Sequence, residues 1–192
     1  KDEIFRFIKA CEEDQGGAGA NALKLALLTG MRIGEVCKAQ WKDFLIADGK
    51  ATLFLPHTKA GLSRTVLINN AALSVLEEQT LHKQQGNPHI FPGKIEGQPI
   101  THPKKAFKRI KERAGIYEHL RIHDLRHSFA SILINSGKAT LYDVQHLLGH
   151  HSPQTTTRYA HIQSSRLRSV SEQIDGLIFN PQQPTVKEIL HE

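Results

Sequence analysis

The chain has 192 residues, 39% of them hydrophobic and 23% charged, with a net charge of +6 and a pI of about 9.4. That length suffices for one domain with its own core, and the ordinary composition excludes disordered and fibrous classes. No apolar run reaches the roughly 20 residues of a membrane-spanning helix. Cys11 and Cys37 form no metal or disulfide framework, which points to a reducing, intracellular setting.

The elements follow in chain order. Ile4, Phe5, Ile8 and Cys11 predict an amphipathic first helix, not a secretory leader, and Gly16-Gly17-Ala18-Gly19 breaks it. Residues 22–29 read as a buried helix closed by Gly30, and 33–39 as a short helix leading into Trp41 and Phe44. Ala51 to Leu55 and Arg64 to Ile68 predict a two-stranded hairpin, with Val66 and Ile68 on one face and a turn at Lys59-Ala60-Gly61. Asn70 is the expected cap of a helix over 71–83. Thr101 and Pro103 open another that Gly115 stops. Further helices are expected from about His123 to Asn135, over 141–148, near 153–159 and over 164–174, with a short amphipathic one over 185–191. The fold class is mainly α with a small antiparallel β-sheet, an α+β domain.

Charge is unevenly spread. Lys104, Lys105, Lys108, Arg109, Lys111, Arg113, Arg121 and Arg126 outnumber the acids Glu112, Glu118 and Asp124 in one stretch. This is either a solvated basic helix face or a surface for a polyanion. His123, Arg126 and His127 are spaced i, i+3 and i+4, so a helix places them on one face. Arg126 there offers a planar fork for two phosphate oxygens, and His123 a group that moves a proton. The plainer reading is a surface His/Arg face. Arg32 follows Gly30 at a helix start, where backbone N–H groups favour an anion; it could equally pair with Glu35 on the surface. Lys59 marks the hairpin tip. His150 and His151 follow Leu147-Leu148-Gly149, and with His123 and His127 they raise the question of zinc, but the chain has no Cys cluster or His-Glu-x-x-His element. Tyr159 has a weakly nucleophilic hydroxyl, with a reference pKa of about 10, which needs a base or a strongly cationic setting to attack phosphorus.

In this order and spacing, Thr29-Gly30-Met31-Arg32-Ile33-Gly34-Glu35, Thr58-Lys59, His123-Asp124-Leu125-Arg126-His127, Leu147-Leu148-Gly149-His150 and Thr157-Arg158-Tyr159-Ala160-His161 resemble the tyrosine recombinase, or phage integrase, family. The resemblance implies that Arg32 and Arg126 clamp the scissile phosphate and that Lys59 protonates the departing 5′-oxygen. His123 would assist proton transfer, His150 would hydrogen-bond the phosphate, and Tyr159 would be the nucleophile that forms a 3′-phosphotyrosyl bond. Glu35 and Asp124 are expected to support these groups, and Lys104, Lys105, Lys108 and Arg109 to bind DNA. No metal or other cofactor is implied.

The same resemblance implies a catalytic domain over residues 1–175 and a C-terminal tail over 176–192 that docks on a neighbouring protomer. On that reading the family's N-terminal core-binding domain is expected to be absent from this chain. The implied partner is double-stranded DNA. The longer parent is expected to form a tetramer on paired sites and the isolated domain to be a monomer, in the bacterial or phage-infected cytoplasm and linked to a mobile element. Type IB topoisomerase activity and a catalytically silent DNA-binding protein remain the alternatives.

Overall fold

A computed structural model describes residues 2–14, 17–56, 63–117, 119–136, 138–149 and 160–179, with the backbone alone at 141, 160–167 and 175. The expected hairpin turn, the helix near 153–159 and the terminal helix over 185–191 lie outside the described residues.

The centre is α2 (Ala18–Thr29). Every residue from Ala20 to Thr29 is buried, as expected of a helix that is apolar nearly all round. Around it pack α1 (Asp2–Glu12), α3 (Ile33–Lys38), α4 (Asn70–Thr80), α5 (Lys104–Arg113) and α6 (Asp124–Asn135). Helix α7 (Leu141–Leu148) and α8 (Ala160–Phe179) pack on α6 and on each other. In α1 the inward face is Phe7, Ile8, Ala10 and Cys11, and Phe5, expected inside, is exposed. Helix α2 begins earlier than the sequence suggested, because Gly17 adopts a positive φ and turns the chain directly into it. Among the described residues no helix is long and apolar enough to cross a membrane.

The sheet has three antiparallel strands in the order β1 (Phe44–Ala47), β2 (Lys50–Leu55), β3 (Arg64–Ile68). Strand β1 was not expected, because its Leu45 and Ile46 are both exposed and leave no alternation to read. On β2 the inward positions are Ala51, Leu53 and Leu55; on β3 they are Arg64, Val66 and Ile68, with Leu53 opposite Val66. A buried arginine thus occupies a core-facing register position at the start of β3.

Helix α4 is capped by Asn69 and not by Asn70, which is the first helical residue. The Asn69 side chain accepts from the Ala72 N–H (2.9 Å) and donates to the carbonyls of Leu28 (2.8 Å) and Ser171 (3.2 Å). One fully buried amide therefore joins α4 to the end of α2 and to α8. Arg168 of α8 reaches the carbonyls of Ile68 and Ala51, and Glu172 accepts from the Asn70 N–H. Helix α8 continues through Gly176, with Ile174 and Ile178 buried, so it runs past the expected domain boundary at 175.

Asn69→Ala removes a cap and two buried side-chain donors. It should destabilise the fold by about 2–4 kcal/mol, read as a lower urea midpoint with an unchanged m-value.

Candidate active site

The site is built where two helices end. Helix α2 ends at Gly30 and α7 at Gly149, both with left-handed backbone, φ +67° and +70°. Glycine is required at each for a second reason. A Cβ at Gly30 would lie 2.6 Å from Phe129 and 2.7 Å from Leu148, and one at Gly149 would lie 2.5 Å from Arg64. The carbonyl ends of both helices turn toward Arg126. Its Nη1 donates to the Gly30 carbonyl and its Nη2 to the Leu148 carbonyl, each at 2.7 Å. A cation is favoured at such carbonyl ends. Arg126 is only 4% exposed. Burial first, then the positive fields of Arg32 and Arg64, pull its pKa down to about 10, with Glu35 opposing, so it remains charged at neutral pH.

Arg32 is the N-cap residue of α3. Its backbone N–H donates to Glu35 Oε2 (3.0 Å) and its Nη1 to Oε1 (3.1 Å). The Glu35 side chain is 8% exposed and that of Arg32 31%. Glu35 also receives Nη2 of Arg64 on Oε2 (2.9 Å). Burial is the largest single influence on Glu35 and would raise its pKa. The charge of Arg64 and the hydrogen bonds from Arg32 and Arg64 together outweigh it, and the carboxyl is held below its ordinary range. The sequence offered two readings of Arg32, a phosphate ligand or a partner of Glu35. The ion pair is present, and it fixes Arg32 beside Arg126.

His123 precedes α6 as its N-cap residue, and its ring meets that of His127 edge-on, with centroids 5.0 Å apart. Burial lowers the His123 pKa first, followed by the fields of His127, Arg126 and Arg32, with Asp124 opposing. The imidazole is therefore neutral at neutral pH and carries a lone pair able to take a proton. Asp124 is engaged locally. It accepts from the Arg121 backbone N–H (2.7 Å) and pairs with the Arg121 guanidinium (3.1 Å), so it caps its own turn. Among the described residues no three His, Cys, Asp or Glu side chains gather as a metal site would require.

The basic face of α5 is divided. Lys104, Lys105 and Lys108 are exposed, and Lys108 lies 3.9 Å from Glu112. Arg109 sends Nε and Nη2 to the two oxygens of Asp14 (3.2 and 2.9 Å), and Arg113 adds a third bond to the same buried carboxylate. In this structure Arg109 joins α5 to the end of α1.

The structure thus brings Arg32, Glu35, His123 and Arg126 together, while Lys59, His150 and Tyr159 lie outside the described residues. It adds Arg64, for which sequence reading assigned no role. The available signal was its phase: Arg64 shares the inward face with Val66 and Ile68.

The model of the Phage integrase family matches residues 1–166. The tyrosine recombinase XerC of Xanthomonas campestris pv. campestris (strain B100) is 31% identical over 172 residues, covering 88% of this chain and 52% of that protein. XerC of Lactobacillus leichmannii is 30% identical over 178 residues, covering 87% and 59%. Among solved structures, the XerH site-specific recombinase bound to palindromic difH substrate in a post-cleavage complex matches with a TM-score of 0.66 and 27% identity, over 89% of this chain and 51% of that one. The chain therefore spans only 52% of the first of these curated relatives.

Glu35→Gln should cost about 2 kcal/mol at pH 7, because two arginines lose their shared anion. The folded-state pKa of Glu35 is depressed, so its contribution is present above the unfolded value and is lost as pH falls through the folded one. Urea unfolding should accordingly show wild type and variant converging in acid. A gap that persists or widens there contradicts the assignment.

Proposed function

The chain belongs to the phage integrase family, and on that premise we propose that it is the catalytic domain of a site-specific DNA recombinase that cleaves and rejoins strands through a 3′-phosphotyrosyl intermediate. The observation that carries the reading is the placement of Arg32 and Arg126 together, each oriented by acceptors of the fold, beside a neutral His123.

In this mechanism Arg32 and Arg126 hold the non-bridging oxygens of the scissile phosphate in fixed, charge-assisted hydrogen bonds. His123 takes the proton of the Tyr159 hydroxyl as the phenolate oxygen attacks phosphorus. His150 donates to the developing charge, and Lys59 protonates the 5′-oxygen as its bond to phosphorus breaks. The phosphodiester energy is kept in the tyrosyl ester. Attack by the 5′-hydroxyl of a second strand reverses the steps and restores the phenol. The side chains supply the neutralising charge, so the reaction is proposed to need no divalent metal.

The substrate proposed is double-stranded DNA, as the XerH complex with its difH substrate suggests by analogy. Lys104, Lys105 and Lys108 of α5 offer sequence-independent phosphate contacts. Arg109 contributes to that surface from its ion pair with Asp14. A longer parent protein is proposed to act as a tetramer on paired sites, and residues 176–192 to contribute to contacts between protomers. The setting proposed is the bacterial cytoplasm, where the DNA lies.

A pool of nicked suicide duplexes with a randomised core, incubated with this chain in EDTA, should yield an SDS-resistant protein–DNA adduct. Tyr159→Phe should abolish the adduct and leave DNA retention within about twofold, because the lost hydroxyl acts in chemistry and not in phosphate binding. An adduct that survives in the Phe variant, or that requires magnesium, overturns the mechanism. Relaxation of supercoiled plasmid without site preference would favour the topoisomerase alternative.

A further inference from the structure

We propose that Arg64 is a positioning residue of the phosphate site, orienting Arg32 through Glu35 and holding the end of α7 against it. The inference deepens the recombinase reading and rests on it for the identity of the anion.

Strand β3 sends Arg64 inward, in register with Val66 and Ile68. There the guanidinium is almost wholly buried and makes two directed contacts, Nη2 to Glu35 Oε2 at 2.9 Å and Nη1 to the Leu147 carbonyl at 3.2 Å. Arg126 takes the next carbonyl along, that of Leu148. Two arginines from different elements thus hold successive carbonyls at the end of α7. The Arg64 side chain also packs on Gly149, where a Cβ would meet its Cδ at 2.5 Å and its Nε at 2.9 Å. His150 is the next residue in sequence.

The division of labour on Glu35 explains the effect on Arg32. Arg64 and the Arg32 backbone N–H share Oε2, which leaves Oε1 to the Arg32 guanidinium. Arg64 therefore sets the carboxylate plane, and the plane sets the direction of a guanidinium that is otherwise the more exposed of the pair. Stability alone does not account for an arginine here. An apolar residue in phase with Val66 and Ile68 would serve the core as well or better. The buried Nε of Arg64 has no partner among the described residues, which is a further cost. Lysine keeps the charge but has no fork to reach Glu35 and Leu147 together.

The test uses inorganic sulfate, which stays doubly charged across the range, as a probe of the DNA-free chain. Binding is followed through the guanidinium nitrogen resonances of Arg32 and Arg126 from pH 5.5 to 8.5. The groups facing Glu35 are Arg64 from β3, Arg32 at its own helix start and Arg126 from α6. His123 and His127, at the start of α6, are common to every protein compared, so their direct contribution is the same in variant and wild type. Without Arg64 the buried Glu35 protonates at higher pH and loosens Arg32. Arg64→Met should therefore bind sulfate about fivefold more weakly at pH 5.5, with the deficit shrinking toward pH 8.5. If Arg64 supplied only charge, the deficit would grow with pH, as an unpaired carboxylate came to repel the anion. That pattern, or no deficit at all, overturns the proposal.

Arg64→Lys should lose about threefold with little pH dependence, and it carries the test if the Met variant does not fold. In a Glu35→Gln background either substitution should cost less than about twofold, and equal costs in both backgrounds also overturn the proposal. The sulfate pattern without a Tyr159-dependent adduct would remove the recombinase reading and keep Arg64 in an anion site. An adduct without the sulfate pattern would do the reverse.

Discussion

Gathering guanidinium groups in a half-buried place is the constraint from which this structure follows. At an effective dielectric near 20, two unit charges 4 Å apart repel by about 4 kcal/mol. Arg32, Arg64 and Arg126 lie near enough to one another that, after burial, the fields of the first two lower the proton affinity of the third. The fold offsets that repulsion with two kinds of acceptor. One is the Glu35 carboxylate, shared between Arg32 and Arg64. The other is the carbonyl ends of α2 and α7, which carry partial negative charge and receive Arg126 and Arg64. Removing either leaves a cation buried without compensation, which costs more than the contact itself is worth.

That solution dictates much of the surrounding architecture. For carbonyls to converge on Arg126, α2 and α7 must stop abruptly at the same place, and both do so at a left-handed glycine. Helix α2 can serve as a fixed reference because it is buried along most of its length and carries the end at Gly30. Asn69 bonds the carbonyl of Leu28, two residues before that end, and in the same stroke ties it to α8. The sheet is small, yet it delivers an arginine from a distant stretch of chain to the end of α7 and to Glu35 of α3. The β-hairpin is therefore part of the site's electrostatics as well as of its frame.

The legibility of these features in the sequence depended on whether a residue's role is local. Helix α7 was readable to its ends because Thr140, Asp143 and Gly149 are local stop and start signals. The face shared by His123, Arg126 and His127 follows from helical spacing alone. The ring contact of His123 with His127 agrees with it, although His123 stands one residue before the helix proper. Strand β1 was hidden because edge strands with both faces exposed lose their alternation. The cap of α4 was misplaced by one residue, since two asparagines stand side by side and only packing against Leu28 and Ser171 selects Asn69. Arg64 went unassigned because a lone arginine at a strand start reads as surface, and its significance comes from Glu35, 29 positions away. Arg109 was expected to bind DNA, and its bond to Asp14 was not legible because it depends on how α5 meets α1.

The charge balance of the described cluster bears on which state of a substrate it would favour. Among the described residues three guanidiniums face one carboxylate, so these four groups alone sum to two positive charges before anything binds. A phosphodiester brings one negative charge in its ground state. As a nucleophile adds to phosphorus, the non-bridging oxygens gain a share of a second. Positive charge in excess of the diester's single negative one is better matched to the addition step than to the resting diester, which is the condition for speeding a reaction and not merely binding its substrate. Keeping His123 neutral serves the same end. A protonated imidazole would tighten the ground state and forfeit the base, while a neutral one acquires its charge only when it takes the proton. On the proposed reading, the desolvation of His123 and then the fields of His127, Arg126 and Arg32, which together depress its pKa, keep its positive charge in reserve for the step in which the phosphate becomes most negative.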